Sequence, residues 1–312
     1  MDYRHIEVTP MTPTIGAMIH GVDLNNVTSD TVYDEICEVL WRHHVVFFRD
    51  QPIEPEAQVA LGRRFGKVTR HEFMETIDDD GQVQSIVQEG YGISPNSRWH
   101  TDVTFRTQPN MVGILRAVEL PPIGGDTLWC STGAAFDALP DPIKTMLLGL
   151  NAEHDMFWSR RWKSSGEVHR SLKSEIRELE ENPIVIHPAV INHPVTGRLT
   201  LFINSNWTKK FVGVDLELSY GLIGMLWEWV KKPEFQVRFK WEKDSVAIWD
   251  NFATQHLATL DYEPYRRTMH RVIAGSAAPS LDREALPDHL RPPMSPPRSL
   301  TDAKAARAVA AA

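Results

Sequence analysis

His100 and Asp102 stand two apart in W-H-T-D (99–102). On an extended segment, residues i and i+2 point to the same side, so one imidazole and one carboxylate can reach a single divalent cation. With thirteen histidines in 312 residues, an H-x-D is expected about once by chance, and the pair means little alone. A face of two histidines and one carboxylate suits non-haem Fe(II) and leaves positions open for a cosubstrate and dioxygen. The candidate third ligand is His256 in W-D-N-F-A-T-Q-H (249–256), placed just after a predicted strand at 245–249. Eleven residues further on, R-R-T-M-H-R carries Arg267 and Arg271. On a strand, that spacing puts both guanidinium groups on one face with Met269, and turns His270 away. Arginine's planar fork donates two parallel hydrogen bonds to a carboxylate or sulfonate. Two such forks beside a metal-ligating histidine make a pocket for two different anions.

These residues need elements to hold them. Short apolar stretches separated by Pro10, Pro13, Gly16 and Gly21 predict small strands in the first 25 residues. Apolar spacing predicts a helix over 29–43, with Ser29 as its N-cap, and a second over 54–65 that stops at Gly66. Val45–Phe48 reads as a buried strand, and 74–98, with its Asp78–Gly81 and Pro95–Asn96 turns, as a long loop. Strand character recurs at 111–118, 127–130, 184–190, 199–203, 235–241, 245–249 and 267–274. Helical stretches fall at 132–149, broken at Pro140, and at 216–231. Trp99, Trp249 and Cys130 read as packing residues, and Asp78–Asp80 as a solvated loop tip. Six prolines crowd 279–297 ahead of an alanine-rich end, which reads as an extended C-terminal arm over 279–312. The expected fold is β-rich α+β: one β-barrel or jelly-roll domain over 1–278 with helical insertions.

Composition narrows the function. Hydrophobic residues at 42 % and charged residues at 24 % are ordinary for a globular protein with a sizeable core. A net charge of −8 argues against a general affinity for nucleic acid or an anionic membrane. Two cysteines, Cys37 and Cys130, are too few for a disulfide scaffold. No run of 18 apolar residues and no signal-peptide core are present, so a cytoplasmic location is expected.

Four ordered motifs then carry a resemblance: W-H-T-D-V-T-F (99–105), G-G-D-T-L-W (124–129), W-D-N-x5-H (249–256) and R-R-x-M-H-R (266–271). With G-x-x-I-x-G-V-D-L (16–24) and V-F-F-R-D-Q (46–51), the chain resembles the taurine/2,4-D dioxygenase family from about residue 5 to 276. The resemblance implies a double-stranded β-helix (jelly-roll, cupin-like) core, Fe(II) as cofactor, 2-oxoglutarate as cosubstrate, O2 as oxidant, and a homo-oligomer, dimer or tetramer. It implies that His100, Asp102 and His256 ligate the iron, and that Thr127 and Arg267 hold the distal carboxylate of 2-oxoglutarate. Arg271 matches the residue that binds the anionic head of the primary substrate. His71, Asn96, Ser159 and Trp207 match positions lining its pocket, with His71 on the oxyanion. Met74 and Arg160 stand where taurine-specific members have tyrosine and phenylalanine, and Trp207 replaces another phenylalanine. These departures imply a tail bulkier than taurine's. The expected substrate is a small anionic molecule, an alkylsulfonate or alkyl sulfate ester, that yields sulfite or sulfate with succinate and CO2. An aryloxyalkanoate or other carboxylate is the alternative substrate; a cupin-like metal-binding protein without turnover is the alternative of a different class.

Overall fold

A computed structural model describes residues 3–26, 29–70, 74–89, 97–158 and 182–290. Along the chain lie β1 (Glu7–Pro10), β2 (Ala17–His20), α1 (Asp30–His43), β3 (Val45–Phe48), α2 (Pro55–Arg63), β4 (Gln84–Gln88) and β5 (Val112–Glu119). Next come β6 (Thr127–Ser131), α3 (Thr132–Asp137), α4 (Asp141–Leu148), β7 (Asn151–His154), β8 (Val185–Pro188), β9 (Val190–Asn192) and β10 (Leu199–Leu201). The series ends with β11 (Thr208–Phe211), α5 (Leu216–Val230), β12 (Gln236–Phe239), β13 (Val246–Asp250), β14 (Thr254–Ala258) and β15 (Arg267–Ala274).

The largest sheet runs β1-β2-β3-β13-β5-β15-β4, and a three-stranded sheet runs β12-β6-β14. Both faces of the central strands are covered, which is why Val45–Phe48 is apolar at every position rather than alternating. Val46 and Phe48 point outward into a cluster with Ile36, Val39 and Leu40 of α1. Val45 and Phe47 point inward and meet Trp129 of β6 with Val237 and Phe239 of β12. Phe47 stacks on Phe239 at 4.1 Å and meets Trp129 edge-on at 5.4 Å, contacts each worth about 0.5–1.5 kcal/mol beyond area burial. This inner layer between the two sheets is the floor on which the candidate site rests.

One glycine makes room for that floor. Gly113 of β5 pairs with Trp249 of β13, and a Cβ at Gly113 would lie 2.1 Å from the indole ring. The ring passes over bare backbone and packs 5.1 Å from the His256 imidazole.

Several expectations need correction. The region 74–98 is not one long loop: β4 occupies 84–88 and forms the edge of the large sheet. Its acidic, glycine-bearing approach reads as a turn because it is one, with Asp78 accepting hydrogen bonds from the amides of Gln82 and Val83. The strand expected at 184–190 divides into β8 and β9, which join different sheets. His256 does not merely follow a strand; it lies within β14, whose partner β6 is distant in sequence. Residues 279–290 fold against the body, with Leu286 and Leu290 buried in the helix-bearing cluster that also holds Leu147 and Leu148. Among the described residues, no helix is long and apolar enough to cross a membrane.

Candidate metal centre and anion sites

Backbone pairing brings the two histidines together. His100 and His256 form an isolated antiparallel bridge, with amide-to-carbonyl distances of 3.0 and 2.8 Å in the two directions. Their rings lie 4.2 Å apart. Asp102, two residues on, brings a carboxylate oxygen to 3.7 Å from His100 Nε2. That gap is too long for a hydrogen bond. Ligand atoms of His100, Asp102 and His256 all lie within 4.8 Å of one another, and all three residues are buried.

The chemistry of this set fits a divalent cation. His100 Nδ1 is 2.7 Å from the Arg98 carbonyl, so Nδ1 carries the proton and Nε2 presents its lone pair toward Asp102. Burial holds the His100 ring below the usual histidine range, and Asp102 only partly offsets it. Burial together with the neighbouring His100 pushes His256 down to about 3. Both rings are therefore neutral at neutral pH, the form that binds metal. His256 Nδ1 is buried without a hydrogen-bond partner.

Two arginines rise beside the triad from alternate positions of β15. Arg267 and Arg271 are each 5 % exposed, with Met269 between them at 0 %. Arg271 Nε donates to Gln84 Oε1 of β4 at 2.9 Å, and Nη1 donates to both Asp102 oxygens at 3.1 and 3.2 Å. Arg267 Nη2 donates to Thr127 Oγ1 at 3.3 Å, and the Trp241 indole N–H donates to the same oxygen at 2.9 Å. The hydroxyl keeps its own proton to donate. No carboxylate pairs with Arg267 among the described residues, and its Nε is buried and unpartnered. Burial lowers its pKa to about 10, which leaves it charged at neutral pH. A buried, charged guanidinium without an ion-pair contact is costly, and Tyr262 and Asp126 offset only part of its burial; an anionic ligand relieves that cost.

The G-G-D-T turn explains how β6 reaches this place. Gly124 and Gly125 have φ of 79° and 74°, a region that disfavours other residues. A Cβ on Gly124 would meet the Asp261 carbonyl at 2.6 Å, and one on Gly125 the Arg267 side chain at 3.2 Å. The glycines let the chain pass close under Arg267 and deliver Thr127 to it.

Trp207 lies against the segment that carries His100 and Asp102. Its indole N–H donates to the Thr101 carbonyl at 3.0 Å, and its ring meets Phe105 at 4.8 Å. With Val103, Met156 and Phe157 it forms a small apolar cluster. His71, Asn96, Ser159 and Arg160 lie outside the described residues. Two residues at the site were not anticipated. Gln84, wholly buried, orients Arg271 and leaves its Nε2 unpartnered; nothing in the local sequence marks it. Asn251 bonds the Asp102 backbone, and its place in W-D-N was the available signal. A separate cavity of about 210 Å³, lined by Arg98, Trp158, Tyr220 and Trp227 among others, contains none of the triad.

A β-rich fold that gathers two buried histidines, a carboxylate and a pair of buried arginines has the donor set to hold one divalent metal ion with anions beside it. The chain matches the family described as "Taurine catabolism dioxygenase TauD, TfdA family" over residues 7–273, and it belongs to that family of Fe(II)- and 2-oxoglutarate-dependent dioxygenases. It is 33 % identical over 285 residues to the alpha-ketoglutarate-dependent sulfate ester dioxygenase of Pseudomonas putida, covering 88 % of this chain and 91 % of that one. An alkylsulfatase of Acinetobacter baylyi is 31 % identical over 279 residues, covering 87 % and 86 %. The crystal structure of a taurine dioxygenase from Burkholderia xenovorans superposes with a TM-score of 0.74 at 35 % identity, covering 88 % of this chain and 91 % of that one.

Proposed function

We propose that the protein hydroxylates a small organic sulfonate or sulfate ester, with release of sulfite or sulfate and conversion of 2-oxoglutarate to succinate and CO2. His100, Asp102 and His256 hold Fe(II); Arg267 and Thr127 hold the distal carboxylate of 2-oxoglutarate; Arg271 receives the substrate's anion. The chemistry available at that centre is O2-dependent oxidation of a substrate C–H bond coupled to decarboxylation of the cosubstrate. The protein's own part is binding and orientation. The observation that carries this reading is the buried Arg267, without a carboxylate partner among the described residues, beside the neutral histidine pair, because it calls for a fixed anion next to a metal.

Hydroxylation at the carbon bearing a sulfonate or sulfate group gives a product that collapses to a carbonyl compound and frees the sulfur oxyanion. Relatives named for sulfate esters and alkyl sulfates support that class. His71, Asn96, Ser159 and Trp207 are offered as the lining of the substrate pocket. The fold proposed for residues 1–278 is a double-stranded β-helix, supported by the face-to-face packing of the seven-stranded and three-stranded sheets; 279–312 is the segment that follows it. A cytoplasmic homo-oligomer without nucleic-acid or membrane partners completes the proposal.

An oxygen-electrode panel of taurine, longer alkylsulfonates, alkyl sulfates and phenoxyacetates tests the reading, with sulfite, sulfate and succinate recorded. Succinate formed in step with sulfite or sulfate supports it. Consumption coupled only to phenoxyacetates moves the substrate to the carboxylates, and no Fe(II)-dependent succinate with any compound removes the enzymatic reading.

A further inference from the structure

Asn251 follows β13 directly and is wholly buried. Its Oδ1 accepts the Asp102 amide at 2.8 Å, and its Nδ2 donates to the carbonyls of Asp102 at 3.1 Å and Asn110 at 2.9 Å. One side chain thus pairs both backbone groups of a single residue, as a neighbouring strand would. Asp102 is the carboxylate member of the metal triad.

The next residue explains why such a clamp is needed. Val103 has φ of 47°. A β-branched residue in the left-handed region is a true outlier, because its Cβ crowds the following backbone. Such strain persists only where the surroundings over-determine it. The left-handed turn does two things together: Val103 packs with Phe105, Met156, Phe157 and Trp207, while the preceding carboxylate faces His100 and Arg271. Beyond Val103 the chain is held as well. His187 Nε2 lies 3.0 Å from the carbonyls of both Thr104 and Arg106, and Asn204 Nδ2 donates to Thr104 Oγ1 at 2.9 Å. The strained residue sits between two anchored stretches, and Asn251 is the anchor on the metal side.

We propose that Asn251 is a positioning residue of the metal centre: by pairing the Asp102 amide and carbonyl it holds Val103 left-handed and keeps the Asp102 carboxylate turned toward the two histidines. The proposal rests on the reading of His100, Asp102 and His256 as ligands. It does not require knowledge of the organic substrate.

Isothermal titration of the metal-free, full-length protein with Mn(II), alongside thermal unfolding of the same samples, tests it. Wild type should take up one Mn(II) per chain. Asn251→Ala should weaken Mn(II) binding by about 10–100-fold, the loss expected when a residue that orients a ligand is removed. Adding Val103→Gly to Asn251→Ala should recover part of that loss, because glycine adopts positive φ without strain. A merely structural Asn251 would lower the unfolding temperature and leave Mn(II) affinity of the folded protein within about threefold of wild type; that outcome overturns the proposal. So does a double variant that binds no tighter than Asn251→Ala. If Asn251→Ala does not fold, Asn251→Ser serves, and wild-type Mn(II) affinity in that variant is equally contrary. Wild type that takes up no Mn(II) fails the ligand reading instead, so the two failures are told apart.

Discussion

Arg271 Nη1 lies 3.1 Å from Asp102 Oδ1 and 3.2 Å from Oδ2, so the arginine assigned to the substrate's anion is tied to the carboxylate assigned to the metal. Both side chains are buried. A cation entering the triad therefore competes with Arg271 for the same oxygens. Any weakening of that ion pair leaves the guanidinium better able to meet an incoming sulfonate or sulfate.

Arg271→Ala should act in opposite senses on the two ligands. Removing one partner of a buried ion pair costs about 3–5 kcal/mol, so the metal-free variant should unfold at lower temperature and regain part of the loss when Mn(II) is added. Mn(II) should bind at least as tightly as to wild type, because no guanidinium competes. The KM for the primary substrate should rise at least about tenfold, the scale of a lost charged contact, with that for 2-oxoglutarate little changed. Steady-state kinetics with each substrate varied in turn checks this; a larger rise for 2-oxoglutarate would exchange the roles of the two arginines.

Arg267→Leu separates stability from function. It removes a buried guanidinium that has no carboxylate partner among the described residues. The ligand-free protein should gain about 0.5–2 kcal/mol, as when a site strained for function is relieved. Affinity for 2-oxoglutarate should fall by at least about 2–5 kcal/mol for the lost charged contact. Denaturant unfolding and a 2-oxoglutarate titration of the Mn(II)-loaded protein measure the two effects. Lower stability together with unchanged 2-oxoglutarate affinity would contradict the assignment.

Gly113→Ala should disturb the centre from beneath. The added Cβ meets Trp249 at 2.1 Å, in a floor where overpacking costs about 1–3 kcal/mol. Trp249 packs on His256, so both the unfolding temperature and Mn(II) affinity should drop. A variant with wild-type stability would mean that the ring has room to move.

His44 predicts the acid limb of stability. Burial, with Arg198 beside it, pushes its pKa from 6.5 to about 4 despite the opposing charge of Asp250. Arg198 Nη1 lies 3.1 Å from His44 Nε2. The folded protein keeps this ring neutral, whereas the unfolded chain protonates it below about pH 6.5. Its contribution is complete above that pH and is lost as pH falls toward 4, amounting to about 3 kcal/mol. Denaturant unfolding at pH 7.0, 5.5 and 4.5 should show this fall on top of that from the other buried histidines, His100, His154, His187 and His256. His44→Gln should make the total fall smaller by about 2–3 kcal/mol; an unchanged slope in the variant would remove His44 from the acid sensitivity.

Much of the site was legible because its residues lie in short motifs with rigid local geometry. Arg267, Met269 and Arg271 share a face by strand alternation alone, and β15 begins and ends where its residues predict. The break at Pro140 between α3 and α4 was equally local. What escaped depends on long-range pairing. The residues of β14 (T-Q-H-L-A) show little strand character, and they become a strand through their pairing with β6. Gln84 follows an acidic turn and gains its role only when β4 docks on β15 opposite Arg271. The ion pair between Arg271 and Asp102 joins segments 169 residues apart, and spacing within a motif carries no information about it.

His100, Asp102 and His256 together should bind one metal ion. Anaerobic titration with Mn(II) of the wild-type chain and of His100→Ala, Asp102→Ala and His256→Ala tests it most directly, with the fold of each checked by circular dichroism. One ion per chain in wild type, and loss of that site in each folded variant, is the result predicted. Binding with wild-type stoichiometry and affinity in any one of the three would contradict the account.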